Sequence, residues 1–244
     1  MKIALIGYGN MGQEIERLVK ENSKHQIVSV SFDGKNGLDK KGILKADVAI
    51  DFTSPEIVMD NITAIASLKT NMVIGTTGWY GQFDKVKEMV QKNKIGLIYG
   101  QNFSVGANIF FKIVNYASQL FDEYEQYDVY GYEIHHRGKK DSPSGTAKKL
   151  SQIMLANIAR KKKMETGRLD RQIKNEELHF ASVRAGHNPG RHSITFDSLA
   201  DEIILTHQAH SRRGFAEGAL LATEFIKQRK GVYGFDELFG KGVK

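Results

Sequence analysis

The chain contains no cysteine. Its folding and chemistry therefore use no disulfide, no thiolate nucleophile and no sulfur-ligated metal. Nor does any apolar run reach the roughly eighteen residues that a membrane-spanning helix needs. The opening MKIALIGYGNMG leads into a glycine-rich turn instead of a cleavage site. A cytoplasmic chain without membrane contact is the expectation. No recognised nucleic-acid reading module is present in the sequence either. The formal net charge of +7, from 35 Lys and Arg against 28 Asp and Glu, thus points to a solvated basic surface or an acidic small molecule, not to nucleic acid.

With 244 residues, 41% of them hydrophobic, the chain can build one large or two moderate domains. It opens on an apolar strand, KIALIG, followed by GYGNMG and the helix-like QEIERLVKEN. This is G-x-G-x-x-G in the required setting of strand, tight turn and helix. Gly7 makes the turn, Gly9 lets backbone approach a pyrophosphate, and Gly12 lets the helix pack against its strand. Tyr8, Asn10 and Met11 complete the segment facing a dinucleotide; a glycine turn without cofactor is the alternative. The second strand, QIVSVSF, leads to Asp33, about twenty residues on, where a ribose-binding acid is expected. Asp33 suits the free ribose of NADH, whereas Lys35 suits the 2′-phosphate of NADPH, so either nicotinamide is expected.

Three more apolar runs follow: ADVAIDFT, NMVIGTTGW and IGLIYGQNFS, with PEIVMDNITAIASLK and YGQFDKVKEMVQKN between them. This alternation predicts a Rossmann-like, doubly wound parallel sheet. Thr53, the turn at Gly75, Thr76 and Thr77, and the turn at Tyr99, Gly100, Gln101 and Asn102 all fall at strand ends, where such a sheet binds its cofactor.

The texture changes near Gly106. A broad apolar helix, ANIFFKIVNYASQLFDEY, is followed by a strand, a helix reaching about Lys163, and a polar hinge, METGRLDRQIKNEE. The runs LHFASVRAG, HSITFDSLA and DEIILTHQAHS then predict antiparallel strands. The fold class is α/β, with residues 1–105, completed by 213–244, as the dinucleotide-binding domain. Residues 106–212 form a second α+β domain with an open mixed or antiparallel sheet for substrate binding and oligomerisation. The last helix, RRGFAEGALLATEFIKQR, is expected to pack on the first domain through Phe215, Leu220, Leu221 and Phe225.

The chemistry concentrates in Tyr130–Leu150, YGYEIHHRGKKDSPSGTAKKL. A strand is predicted to end near His135 and a helix to begin near Ser144, whose side chain can cap it. Period two puts Glu133 and His135 on one face of that strand. The backbone N–H groups of Gly145 and Thr146 make an anion site at the helix start. Arg137, Lys139 and Lys140 add positive charge. A carboxylate-bearing acceptor of hydride fits this junction, with His135 as the proton donor of suitable type, Lys139 as a second donor, and His136 binding. Arg184, Gly186, His187 and Gly190 form a basic loop that either holds an acid or is plain surface. No metal is expected: His135 and His136 diverge on a strand with no third ligand near in sequence, and His207 and His210 lack a carboxylate at metal spacing. A different two-domain dehydrogenase acting on an acid, or a nicotinamide-sensing regulator, also accommodates these features.

The block EIHHRGKKDSPSGTA at Glu133 to Ala147 resembles the signature of the 4-hydroxy-tetrahydrodipicolinate reductases (dihydrodipicolinate reductases). The resemblance extends over the whole chain through the glycine turn, GTTG, NFSVG at Asn102 to Gly106, and VRAG at Val183 to Gly186. It implies NADH- or NADPH-dependent reduction of a small dicarboxylate in lysine and diaminopimelate biosynthesis. It also implies that His135 is the acid/base and Lys139 a proton donor, with His136, Gly145 and Thr146 binding substrate. A homotetramer built through the second domain's sheet, domain closure, and return of the C-terminal segment to the first domain are further implications. The chain departs from many relatives in its compact GYGNMG turn, with Asn10 where an arginine is common, and in Tyr99, Gly100 and Gln101 before Asn-Phe-Ser.

Overall fold

A computed structural model describes residues 1–32 and 37–240; Asp33 and Lys35 lie outside the described residues. The chain divides into two compact units, the first of Met1–Val105 and Arg212–Gly240, the second spanning Gly106–Ser211. The first opens β1 (Lys2–Ile6), α1 (Asn10–Glu21), β2 (Gln26–Ser31) and a single turn, α2 (Lys40–Ile43). Then come β3 (Val48–Asp51), α3 (Val58–Ser67), β4 (Asn71–Ile74), α4 (Phe83–Asn93) and β5 (Gly96–Tyr99). These strands are short and apolar because both faces of the sheet are covered. Ile3 and Leu5 of β1 pack on one side with Ile15 and Leu18, while Ala4 and Ile6 pack on the other with Ile62 and Ile65.

The second unit begins within α5 (Val105–Asp122) and continues through β6 (Asp128–His135), α6 (Gly145–Asn157) and β7 (Lys163–Glu165). Next are β8 (Glu177–Arg184), β9 (Arg191–Asp197) and β10 (Glu202–Gln208). The sheet order is β10-β9-β6-β8-β7. β9 pairs antiparallel with β6 and β10, but β8 runs parallel to β6. The antiparallel expectation therefore fails for LHFASVRAG, since α6 returns the chain before β7 and residues 166–176 return it again before β8, leaving β6, β7 and β8 parallel. The helix also stops at Asn157, six residues short of the expected end, and the Met-Glu of the expected hinge pairs with β8 as part of β7. Phe110 and Val114 of α5 and Leu150 and Met154 of α6 cover one face through Phe180, Ile194 and Phe196.

The chain then returns to the first unit with α7 (Arg213–Ile226) and β11 (Gly231–Gly234). Its helix buries Ala216, Ala219, Ala222 and Ile226 against the parallel sheet. Of the expected stripe, Leu220 and Phe225 are partly buried there, while Leu221 is 40% exposed. β11 adds in parallel to β5, giving the order β11-β5-β4-β3-β1-β2. The order reverses beside β1, so the turn after β1 lies at the switch point of a doubly wound sheet. Among the described residues, no helix is long and apolar enough to cross a membrane.

Candidate active site

In the first unit, Gly7 has φ +88°, and a Cβ there would lie 2.2 Å from the Phe52 carbonyl oxygen. Only glycine satisfies both conditions. Gly12 brings α1 down on this turn, since a Cβ would sit 2.3 Å from the Gly7 carbonyl oxygen. Gly9, at the N-cap of α1, has no heavy atom within 4 Å of where a Cβ would stand. Open space above Gly9 at a helix N-terminus is what a pyrophosphate requires, so these residues fit a dinucleotide. The Tyr8 ring meets Phe32 edge-on, and Asn10 and Met11 open α1.

Asp51 ends β3 fully buried and gathers the neighbouring turns. Its Oδ1 accepts from Thr53 N at 3.1 Å, Thr53 Oγ1 at 2.8 Å and Thr76 Oγ1 at 2.6 Å, and its Oδ2 accepts from Asn61 Nδ2 at 2.7 Å. Gly75 lies under the Phe52 ring, 2.0 Å from a Cβ, while Thr77 is exposed. Tyr99 turns away into an aromatic group with Trp79, Tyr80 and Phe83, so its ring serves packing. Burial against that group pushes the Tyr80 hydroxyl up to about 12. Gly100 backs onto Phe235, Gln101 is exposed, and Asn102 Oδ1 accepts from Ser104 N at 2.8 Å.

In the second unit, β6 ends at His135 and α6 starts at Gly145 with Ser144 as its cap, as the sequence pattern predicts. Ser144 Oγ accepts from Ala147 N at 3.1 Å. Glu133, completely buried, is the hub. Its Oε1 accepts from Ser144 N at 2.9 Å, Ser182 Oγ at 2.8 Å and Arg184 Nη2 at 2.7 Å. Its Oε2 lies 3.3 Å from His135 Nε2 and 3.2 Å from His192 Nε2. Burial alone would raise the Glu133 carboxyl, but the adjacent His135 and His192 rings and the hydrogen bonds from Ser144 N and Arg184 outweigh it and hold the group far below the usual carboxylate range. For His192, burial dominates and lowers its proton affinity, partly offset by Glu133.

The intervening loop is tied at several points. His136 N donates to Asn188 O at 2.8 Å, and Arg184 Nη2 also reaches Asp141 O at 2.7 Å. Arg184, Gly186 and Gly190 are therefore structural neighbours of the His135 loop rather than plain surface. Lys139 Nζ sits 2.7 Å from Asp141 Oδ1, an ion pair that lowers the Asp141 carboxyl. Arg137 and Lys140 are exposed and His136 half-buried. Gly145 is exposed, with nothing within 4 Å of a Cβ, and Thr146 is half-buried.

No local sequence pattern points to His192, yet it supplies the third candidate ligand that the sequence neighbourhood of His135 lacks. Ligand atoms of Glu133, His135 and His192 all lie within 4.8 Å of one another. Their separations of 3.2–3.3 Å equal the edge of a tetrahedron around an ion with bonds of about 2 Å. Against a dication stands Arg184, a permanent cation already bonded to the same carboxylate. The chemistry of the donor set favours protons.

A dinucleotide turn at the switch point of a doubly wound sheet, with a separate sheet bearing a buried acid and two imidazoles beside a helix N-terminus, defines a nicotinamide-type oxidoreductase. Residues 1–103 match the family model for the dihydrodipicolinate reductase N-terminus, and residues 106–239 that for its C-terminus. The chain is 39% identical over 233 residues to the 4-hydroxy-tetrahydrodipicolinate reductase of Christiangramia forsetii, covering 96% of this chain and 95% of that one. It is 38% identical to the Methanosarcina acetivorans enzyme of the same name over 83% of this chain and 77% of the relative. A dipicolinate-bound dihydrodipicolinate reductase from Paenisporosarcina sp. TG-14 has the same fold, with a TM-score of 0.80, 24% identity, and coverage of 98% of this chain and 99% of that one. The chain belongs to the dihydrodipicolinate reductase family and is an enzyme.

Proposed function

We propose that the enzyme reduces (2S,4S)-4-hydroxy-2,3,4,5-tetrahydrodipicolinate to (S)-2,3,4,5-tetrahydrodipicolinate and water, in the diaminopimelate route to lysine. NADH or NADPH supplies the hydride. The observation that carries this reading is the junction of β6 and α6, where a buried, anchored His135 adjoins a helix N-terminus open at Gly145. That junction combines a proton source with an anion cradle, the two needs of a dicarboxylate accepting hydride.

On this reading Gly145 and Thr146 offer backbone N–H groups to a substrate carboxylate, and the half-buried His136 makes a further contact. His135 carries the proton that neutralises the charge left by hydride addition. Lys139, held beside Asp141, is the second donor and stabilises the developing negative charge. In the first unit, the Gly7 to Gly12 turn receives the pyrophosphate, and the turns at Thr53, Gly75 to Thr77 and Gly100 to Asn102 receive the nicotinamide side. The Asp33 and Lys35 pair governs choice between the two nicotinamides. We assign the reaction to the cytoplasm and the assembly to a homotetramer, with no nucleic-acid or membrane partner.

A steady-state assay following nicotinamide absorbance, with both cofactors and freshly generated hydroxy-tetrahydrodipicolinate, tests the reading. Turnover with either cofactor is expected. His135→Ala and Lys139→Ala should each lose on the order of a hundredfold in kcat. Turnover of a different acid with none of this substrate would overturn the assignment, and an unchanged rate in either variant would remove that residue from the mechanism.

A further inference from the structure

Register on the second sheet lines up more polar groups than the sequence neighbours of His135. Glu133 of β6 stands opposite Ser182 of β8 on one side and His192 of β9 on the other, and His192 stands opposite His207 of β10. A polar row thus crosses four strands, and period two sets His135 beside it. His135 Nε2 and His192 Nε2 are 3.3 Å apart, and His192 Nε2 is 3.2 Å from Ser144 Oγ. On the other side of the His135 ring is Gly190, where a Cβ would come within 2.9 Å of Cε1.

The accounting of protons in this cluster is restrictive. Oε1 of Glu133 already accepts three donors, one of them cationic. Oε2 is buried, and no N–H is aimed squarely at it. Two Nε2 atoms 3.3 Å apart cannot both carry hydrogen along the line between them, so one donates and the other accepts. The inward nitrogen of His135 is consequently occupied by this pair. Its Nδ1 is left as the ring nitrogen for exchange with substrate.

We infer that Glu133 and His192 are positioning residues for the reaction proposed above. Glu133 fixes the His135 ring and ties it to the Ser144 cap, and His192 shares a proton with His135 Nε2. When His135 gives a proton up at Nδ1, its Nε2–H remains and donates to His192 Nε2, which steadies the neutral ring, and Glu133 favours reprotonation. The same carboxylate thus couples the acid/base to the anion cradle, because Ser144 N donates to Oε1 while Ser144 Oγ meets His192. Charged groups facing the pair are Arg184 from β8 and Lys139 and Asp141 from the loop. His207 on β10 completes the row, stacked on Phe110.

The inference rests on the proposed function, so its test has an arm that needs no turnover. In the first arm, Glu133→Gln and His192→Gln are assayed in the full-length enzyme. Each should lose tenfold or more in kcat, with KM for the nicotinamide within twofold of the parent. In Glu133→Gln the limb of the kcat profile set by the acid/base should move toward lower pH, because a negative charge beside the imidazole is gone. His192→Ala should be partly rescued by added imidazole, which a purely structural role would not give. In the second arm, nitrogen NMR of the histidine rings should show His135 Nε2 and His192 Nε2 joined by a hydrogen bond in the parent, and that signature lost in His192→Gln. Nicotinamide binding and thermal melting report whether each variant is folded.

Folded variants with parental kcat and pH profile would overturn the inference, as would the absence of a hydrogen bond between the two rings in the parent. Stoichiometric zinc in the purified enzyme, with activity lost to a chelator, would also overturn it in favour of a metal site. A parent enzyme inactive on the proposed substrate would instead sink the functional reading, and the hydrogen bond between the two rings would leave the positioning pair standing.

Discussion

Asp51 shows how a single buried carboxylate can be held by neutral donors. Burial raises its pKa, and the hydrogen bonds from Thr76, Thr53 and Asn61 only partly oppose that rise. A raised folded value means that the acid form is favoured by folding. The associated stability is complete below the unfolded value, near 4, and is lost as pH rises through the folded one. Replacing Asp51 by Asn removes this pH dependence and also sets an amide NH2 against that of Asn61. The gap in melting temperature between parent and Asp51→Asn should therefore widen as pH falls from 7 toward 4; a constant or shrinking gap would refute the assignment. Glu133 cancels from this difference because both proteins contain it. Asp51→Ala strands several buried donors, at roughly 1–3 kcal/mol each, and should raise KM for the nicotinamide as the Thr53 and Thr76 turns loosen.

At the scale of elements, the β1–α1 turn separates the structural demands on glycine from those of a ligand. Gly12→Ala drives a methyl into the Gly7 carbonyl, a backbone group with little room to move. Gly9→Ala meets nothing, and Gly9 has φ −78°, which alanine adopts easily. Gly12→Ala should lower the melting temperature by several degrees, whereas Gly9→Ala should melt like the parent and bind nicotinamide at least tenfold more weakly. Equal melting losses in both would remove the ligand from the explanation of Gly9. This turn was legible because its glycines are contiguous and their reasons local. The β6–α6 junction was legible too, since period two and a capping serine act over a few residues. His192 was not, because it meets Glu133 through strand register 59 residues away in sequence, set by which strands pair. The parallel run of β8 and the addition of β11 escaped for the same reason. Both depend on where a connection returns the chain, the segment 166–176 for β8 and α7 for β11, which a local pattern does not specify.

Within the second unit, the face of the sheet turned away from α5 and α6 carries exposed apolar side chains. Ile204 of β10, Thr195 of β9 and Tyr130 of β6 stand in one register row on the side opposite Phe196 and Ile194. Ile204 is 53% and Tyr130 37% exposed, and Val183 of β8 lies on the same face at 45%. β10 is also an edge strand. An exposed apolar sheet face with an open edge invites pairing with another chain, and the proposed tetramer would cover it. Against assembly works a net charge of +7 on every copy. Repulsion among like-charged subunits is screened within about 10 Å at 0.1 M salt, so association should tighten as salt rises. Light scattering should give about four times 27.4 kDa for the parent at moderate salt, with smaller species gaining ground on dilution at low salt. Ile204→Lys places a charge at the edge-strand end of the row and adds to the repulsion, and should shift the enzyme to smaller species at every salt concentration while leaving nicotinamide binding intact. A monomeric parent, or an Ile204→Lys variant of unchanged mass, would show that this face is not where the copies meet.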